Sequence, residues 1–189
     1  MELLEAIEKR RTIRIFEKPA VEEQLRRIIL AGTKAPSAVN RQPWAFIIID
    51  DRELIERLAD LKYRLNRKED PQRPEKDAAV REKKALFQKE SFRNASVVAV
   101  CHETGWERSV WLCIENMSLV ALEEGLGSGI VLLWDDEKEE AEKLMGLTRG
   151  YELTALMKFG VPGEEGHARD RNPAGPRRPE FSWLHKNRF

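Results

Sequence analysis

Apolar positions along this chain switch repeatedly between helical spacing and short continuous runs. Leu3, Leu4 and Ile7 share one face of a short helix over residues 2–10, and Val21, Leu25, Ile28 and Ile29 mark a second over about 21–32. Gly32 is a plausible stop for that helix. Leu54, Ile55, Leu58 and Leu61 form the core stripe of a helix over about 52–64, with Asp50 or Asp51 available as its cap. The runs AFIII (45–49), SVVAVC (96–101), IVLLW (130–134) and LTALMKFGVP (153–162) read as strands. TIRIF (12–16) reads as an extended segment with Arg14 between Ile13 and Ile15. SVVAVC alternates little, as expected of a strand covered on both faces. In RSVWLCIENMSLVALEE (108–124) apolar residues cover nearly the whole circumference, predicting a helix buried all round, with a subunit interface as natural cover for one side. Asp135 opens a further helix with acids in its first turns, favourable for the helix dipole. Helices and strands alternate irregularly, giving an α/β or α+β layered domain.

Two stretches depart from this pattern. Residues 65–93 are strongly charged; prolines break the first half, and the second half reads as a charged helix, a solvated excursion or a cover over a site. Residues 163–189 are rich in Gly, Pro and Arg yet end on FSWLHKNRF, so Phe181 and Trp183 suggest a docking tail. The 189 residues fit one domain.

Composition narrows the partners. Formal net charge is zero, which disfavours nucleic acid and acidic membranes as bulk electrostatic targets. No run reaches the ~18–20 apolar residues of a membrane span, and MELLEAIEKRR is unlike a signal peptide, so a cytoplasmic location is expected. Cys101 and Cys113 lie in apolar segments and read as buried thiols. The histidines, 102, 167 and 185, are scattered without metal-ligand spacing, and no metal site is expected.

Candidate chemistry concentrates in three places. Arg10 and Arg11 suit the negative end of a helix dipole, whereas Arg14, on a half-buried element, needs an anionic or hydrogen-bonding partner. GLGSG (125–129) follows a helix and opens a strand, the reverse of a dinucleotide fingerprint. Helix termination accounts for it, or close approach of backbone to a flat ligand. The connection APSAVNRQPW (35–44) is too richly furnished for a plain turn. No acid, base and nucleophile constellation emerges, which suggests chemistry carried by a cofactor.

The ordered motifs resemble those of the FMN-dependent nitroreductase family. EKRRTIRIF matches its R-R-S-x-R/K-x-F opening, APSAVNRQPW its A-P-S-x-x-N-x-Q-P-W, EEGLGS its helix-ending G-L-G-S, LMKFGVP its strand with G-x-P, and PRRPEFSWLHKNRF its basic tail. The resemblance implies an α+β fold, an α-β-α layered domain with a mixed, mainly antiparallel central sheet, and a tail extending onto a partner subunit. It implies a homodimer with FMN at the interface. Arg10, Arg11 and Thr12 would approach the flavin phosphate and ribityl chain, Arg14 the ring near N1 and O2, and Arg177 or Arg178 the phosphate. Pro36, Ser37, Ala38 and Asn40 would reach the flavin of the other subunit, and Gly127, Ser128 and Gly129 would pass close to the ring. NAD(P)H would reduce the flavin, which would then reduce a nitroaromatic, quinone or similar electron-poor acceptor. Alternatives are another reaction on FMN (dehalogenation, flavin fragmentation or heterocycle oxidation) and a non-catalytic flavin-binding module. Two departures stand out. Val39 occupies a position where glycine is frequent, and a β-branched residue resists positive φ. Gly129 stands where a larger residue is common, which would widen the pocket.

Overall fold

A computed structural model describes residues 2–68, 77–163 and 178–188. Its elements are α1 (Leu3–Lys9), β1 (Phe16–Pro19), α2 (Glu22–Gly32), β2 (Trp44–Ile49), α3 (Arg52–Arg67), α4 (Ala78–Glu90), β3 (Ser96–Glu103), α5 (Glu107–Glu123), β4 (Gly127–Val131), α6 (Asp135–Leu144) and β5 (Tyr151–Pro162). The longest strand, β5, is the hub of the sheet and hydrogen-bonds to β1, β3 and β4, while β2 pairs with β3. Each of these ladders is antiparallel, and the isolated bridge Thr12↔Ser128 is parallel. The expected mixed, mainly antiparallel sheet is therefore present.

The sheet carries apolar side chains on both faces. Val97, Ala99 and Cys101 of β3 join Leu156 of β5 against Ile55, Leu58 and Leu61 of α3 and Ala141 of α6. Val98 and Val100, with Ala155, Met157 and Phe159, meet Leu25 and Ile28 of α2 and Ile114 and Met117 of α5. Alternate strand residues thus feed opposite cores, as a strand buried on both faces requires, and the result is an α-β-α layered α+β domain. Asp51 accepts hydrogen bonds from Glu53 N and Leu54 N, making it the cap of α3. Both cysteines are buried and free, and burial pushes the Cys101 thiol up to about 12 and that of Cys113 to about 11.

One expectation needs correction, and two apolar surfaces stay open within a single chain. The strand expected at 130–134 is instead Gly127–Val131: it starts on the glycines, in register with Gly160 of β5, and leaves Leu132 and Trp134 partly exposed. The cause lies in Gly127 and Gly129, which let another segment lie against the strand. Helix α5 is not covered all round within one chain. Val110, Cys113, Ile114, Met117 and Ala121 are buried, whereas Leu112 is exposed. On α1 only Ala6 is buried, and the apolar face of Leu3, Leu4 and Ile7 is open to solvent.

The charged excursion contains the expected helix. Asp77 caps α4, which is tied to α3 by Tyr63 Oη donating to Glu82 at 2.5 Å, Arg67–Glu82 at 2.8 Å and a Lys89–Asp60 ion pair. In the tail, Trp183 is exposed and its indole donates to the Arg178 carbonyl at 2.9 Å. Most of residues 163–177 lies outside the described residues.

Candidate cofactor-binding site

The chain leaves α1 at Arg10 and runs extended as far as β1. Ile13 N donates to Ser128 O at 2.8 Å, locking this segment beside β4. The two glycines make that contact possible. A Cβ on Gly127 would lie 2.5 Å from Ile13 Cγ1, and one on Gly129 would lie 2.5 Å from Ile13 O. Real Cβ atoms do not come so close, so the space beside both residues belongs to the chain itself. The wider ligand pocket expected from Gly129 is therefore not found: Ile13 fills that space. Gly125 is the helix stop, with φ 73° and Leu126 N donating back to Ala121 O at 2.8 Å.

This fastening presents three arginines within five residues. Arg10 Nε lies 3.5 Å from Glu115 Oε1 of α5. Arg11 Nη1 donates to the carbonyls of Glu8 at 2.6 Å and Arg10 at 2.8 Å; among the described residues it meets no carboxylate. Its positive charge is thus left for another anion. Arg14 is half-buried, as its alternation with Ile13 and Ile15 predicts, and the Thr12 hydroxyl lies within the same stretch. Clustered guanidiniums with a neighbouring hydroxyl suit a phosphate ester carrying close to two negative charges.

The second group of candidate residues is elsewhere. Between α2 and β2 a 3-10 turn, Ala38–Asn40, is flanked by Pro36 and Ser37. Ser37 Oγ accepts from Gln42 N at 2.9 Å, and Arg41 pairs with Glu103 at the end of β3. Val39, Asn40 and Gln42 have φ of 48°, 54° and 52°. Val39 thus adopts the left-handed conformation despite its β-branch, and it is 88% exposed. An L-residue in that region costs about 1–2 kcal/mol. Val39→Gly is expected to raise stability by about 1 kcal/mol, the relieved strain less the entropy of the added glycine. Thermal unfolding measures it, and an unchanged midpoint would show that the turn carries no such strain.

Register separates the two groups. Thr12 bridges Ser128, which pairs with Phe159 of β5, whereas Trp44 pairs with His102, which pairs with Glu152. Phe159 and Glu152 are seven residues apart on β5, roughly 23 Å at ~3.3 Å per residue. The arginine segment and the 36–40 turn therefore occupy opposite ends of one chain's sheet. Of the tail candidates, Arg178 is exposed and Arg177 lies outside the described residues.

A model of the nitroreductase family matches residues 7–161, which contain both groups and every strand of the sheet except the end of β5. The chain belongs to the nitroreductase family. Within it, a Thermus thermophilus protein named NADH dehydrogenase is 31% identical over 87% of this chain and 89% of its own length. An iodotyrosine deiodinase of Thermotoga neapolitana is 28% identical over 90% of this chain and 94% of its own. A crystal structure of iodotyrosine deiodinase bound to FMN and 3-iodo-L-tyrosine superposes with a TM-score of 0.76 and 25% identity over the full length of both chains.

Two buried lysines escaped the sequence reading. Lys62 of α3 donates to Leu132 O at 3.0 Å, 4.8 Å from the Trp134 ring centroid, and Lys158 of β5 is 1% exposed. The signal for Lys158 was visible: a cation between Met157 and Phe159 in an otherwise apolar strand. His102 is also buried; its Nδ1 lies 2.8 Å from Thr154 Oγ1, and burial holds its pKa below the ordinary imidazole value. Among the described residues no group of three or more His, Cys, Asp or Glu side chains could hold a metal ion, and no helix is long and apolar enough to cross a membrane.

Proposed function

We propose that this nitroreductase-family chain is an FMN-dependent oxidoreductase that takes electrons from NAD(P)H and delivers them to a nitroaromatic, quinone or similar electron-poor acceptor. The observation that carries the proposal is the Arg10–Arg14 segment, three arginines within five residues held beside β4, with the Arg11 guanidinium free of any carboxylate among the described residues. Arg10, Arg11 and Thr12 would hold the phosphate and ribityl chain, with Arg178 or Arg177 adding a phosphate contact. Arg14 would offer a fixed positive charge to the ring edge near N1 and O2. Gly127, Ser128 and Gly129 contribute by letting the segment lie in place. When bound, the flavin supplies the redox chemistry, accepting hydride at N5 and returning two electrons to the acceptor. The protein's part is binding, orientation and electrostatics, which agrees with the lack of a nucleophile–base pair in the sequence.

The 36–40 turn sits some 20 Å or more along the sheet from the arginines of its own chain. If Ser37 and Asn40 reach a flavin, it is the one held by a second copy. The exposed apolar face of α1 and Leu112 of α5 supply surface for such a homodimer. The charged α4 would act as a cover near the site, and a cytoplasmic location fits the whole reading.

Purified protein is expected to be yellow, or to become so on addition of FMN, and to bleach anaerobically with NADH or NADPH. Failure to take up FMN would sink the reading. Arg14→Ala is expected to keep the fold but slow flavin reduction about tenfold or more, the loss of one charge-assisted contact of about 1.5–3 kcal/mol. An unchanged rate and potential would remove Arg14 from the ring edge. A second reading, reductive dehalogenation, draws on the iodotyrosine deiodinase relative and structure. Iodide release from 3-iodo-L-tyrosine by the reduced protein separates the two.

A further inference from the structure

The turn that would reach the second copy's flavin is exposed and strained, and it is held from outside at few points. Residues 38–42 are all exposed, so side-chain packing does little to fix them. Val39, Asn40 and Gln42 nonetheless stand at positive φ, a conformation that persists in non-glycine residues only where the surroundings impose it. Within the turn, Ser37 Oγ accepts from Gln42 N at 2.9 Å, and Asn40 N and Arg41 N donate to the Ser37 and Ala38 carbonyls at 3.0 Å. Among the described residues, Arg41 is the one side chain of residues 36–43 that hydrogen-bonds outside the turn. Its guanidinium forks onto the Glu103 carboxylate: Nε donates to Oε2 at 2.8 Å, and Nη2 donates to Oε1. The same guanidinium lies 5.6 Å from the centroid of the Trp106 ring. Glu103 N also donates to Pro43 O at 2.8 Å, and Trp106 N to Glu103 O at 2.9 Å. The end of β3 and the start of α5 thus form one platform for Arg41 and Pro43.

A single-point ion pair at the surface fixes little, but two parallel bonds from one guanidinium set the orientation of both side chains. Glu103 neutralises Arg41, so the pair supplies geometry and not charge. Arg41, chiefly by hydrogen bonding, holds the Glu103 carboxyl below its ordinary range, which keeps the fork ionised at neutral pH. We infer that Arg41 and Glu103 are positioning residues for the cofactor: their fork holds the 36–40 turn in its left-handed conformation and so brings Ser37 and Asn40 to the flavin of the second copy. The inference rests on the FMN and two-copy readings above and deepens them. Ser37 Oγ already accepts from Gln42 N, which leaves its proton for an acceptor on a ligand. Without the fork the turn samples other conformations, and apparent affinity falls with the fraction that stays competent.

The test measures FMN and riboflavin binding to Arg41→Gln, Glu103→Gln and the double variant. Each single variant is expected to bind both flavins about tenfold more weakly, as when one turn in ten is competent. The double variant is expected to lose no more than either single one, because both changes remove the same fork. Equal losses for FMN and riboflavin locate the damage at the ring, since only FMN offers a phosphate to the arginine segment. The melting temperature of flavin-free protein is expected to fall by no more than about 4 °C, the scale of one exposed ion pair in a chain of this size. Parental affinity in either single variant would overturn the inference. So would a loss of about a hundredfold in the double variant, a loss for FMN that riboflavin does not share, or a larger fall in melting temperature. If one single variant fails to fold, the other decides alone. Parent protein that takes up no FMN refutes the cofactor reading itself, and a Ser37→Ala, Asn40→Ala protein with parental affinity refutes the reach of the turn. Both results are distinct from those of the fork variants.

Discussion

Gly129→Ala is expected to destabilise the protein by about 3 kcal/mol and to weaken FMN binding at least tenfold. The new methyl carbon would stand 2.5 Å from the carbonyl oxygen of Ile13, a backbone atom with no rotamer to escape into. Relief requires the Thr12–Arg14 segment to lift off β4, which breaks the 2.8 Å bond from Ile13 N to Ser128 O. Overpacking of this kind costs about 1–3 kcal/mol, and the lost hydrogen bond adds about 1 kcal/mol. Functional loss follows from the same displacement, since the segment carries Arg10, Arg11 and Arg14. Gly146→Ala is a suitable comparison. That glycine has φ 64° and nothing within 4 Å of its Cβ position, so only backbone strain of about 1–2 kcal/mol is expected. Urea titration of both variants measures the difference, and equal losses would show that the Ile13 contact does not set the cost.

Lys62 is expected to make stability rise with pH in a range where many proteins decline. Burial pushes its pKa from the ordinary 10.5 down to about 8. Below pH 8 both folded and unfolded chains carry the proton, and the folded chain bears the full desolvation penalty. Between about 8 and 10.5 the unfolded chain holds a proton that the folded chain has released, so stability climbs as pH rises. The shift amounts to roughly 3 kcal/mol across that window. Lys62→Met should abolish this rise. At pH 7 its net gain is smaller than the full penalty, because the Leu132 carbonyl loses its donor and Trp134 its cation. Urea unfolding at pH 7, 8, 9 and 10 tests the point through the difference between the two proteins. Parallel curves would mean that the Lys62 amine is not desolvated.

Patterning made the layers legible before any coordinates. The valines of β3 announce a strand covered on both faces, and the stripe of α3 with Asp51 ahead of it announces a capped amphipathic helix. What escaped the pattern was settled by contacts between distant residues. The displacement of β4 toward its glycines depends on Ile13, more than a hundred residues earlier, and no local propensity encodes that approach. The all-apolar surface of α5 predicts full burial, yet within one chain Leu112 stays in solvent. Periodicity records how much surface a helix must hide, not which chain hides it. Val39 shows the limit of propensity reasoning. Its β-branch argues against positive φ, but the turn between Ala35 and Trp44 imposes that conformation and leaves the side chain exposed. Among the candidate site residues, the run of arginines and the half-buried position of Arg14 were legible from the sequence. The burial of Lys62 and Lys158 needed the third dimension, because the surroundings of a lysine are ambiguous until its amine is located.

The seven-position separation of Glu152 and Phe159 along β5 has a genetic counterpart. If each flavin draws arginines from one copy and the 36–40 turn from the other, two crippled alleles can rescue one another. Homodimers of an Arg11→Ala, Arg14→Ala chain would be inactive, as would those of a Ser37→Ala, Asn40→Ala chain. In a mixed dimer both lesions fall on the same flavin, and the other is flanked only by wild-type residues. Co-expression should therefore restore activity where neither allele alone supports it, up to half the parental value per mixed dimer.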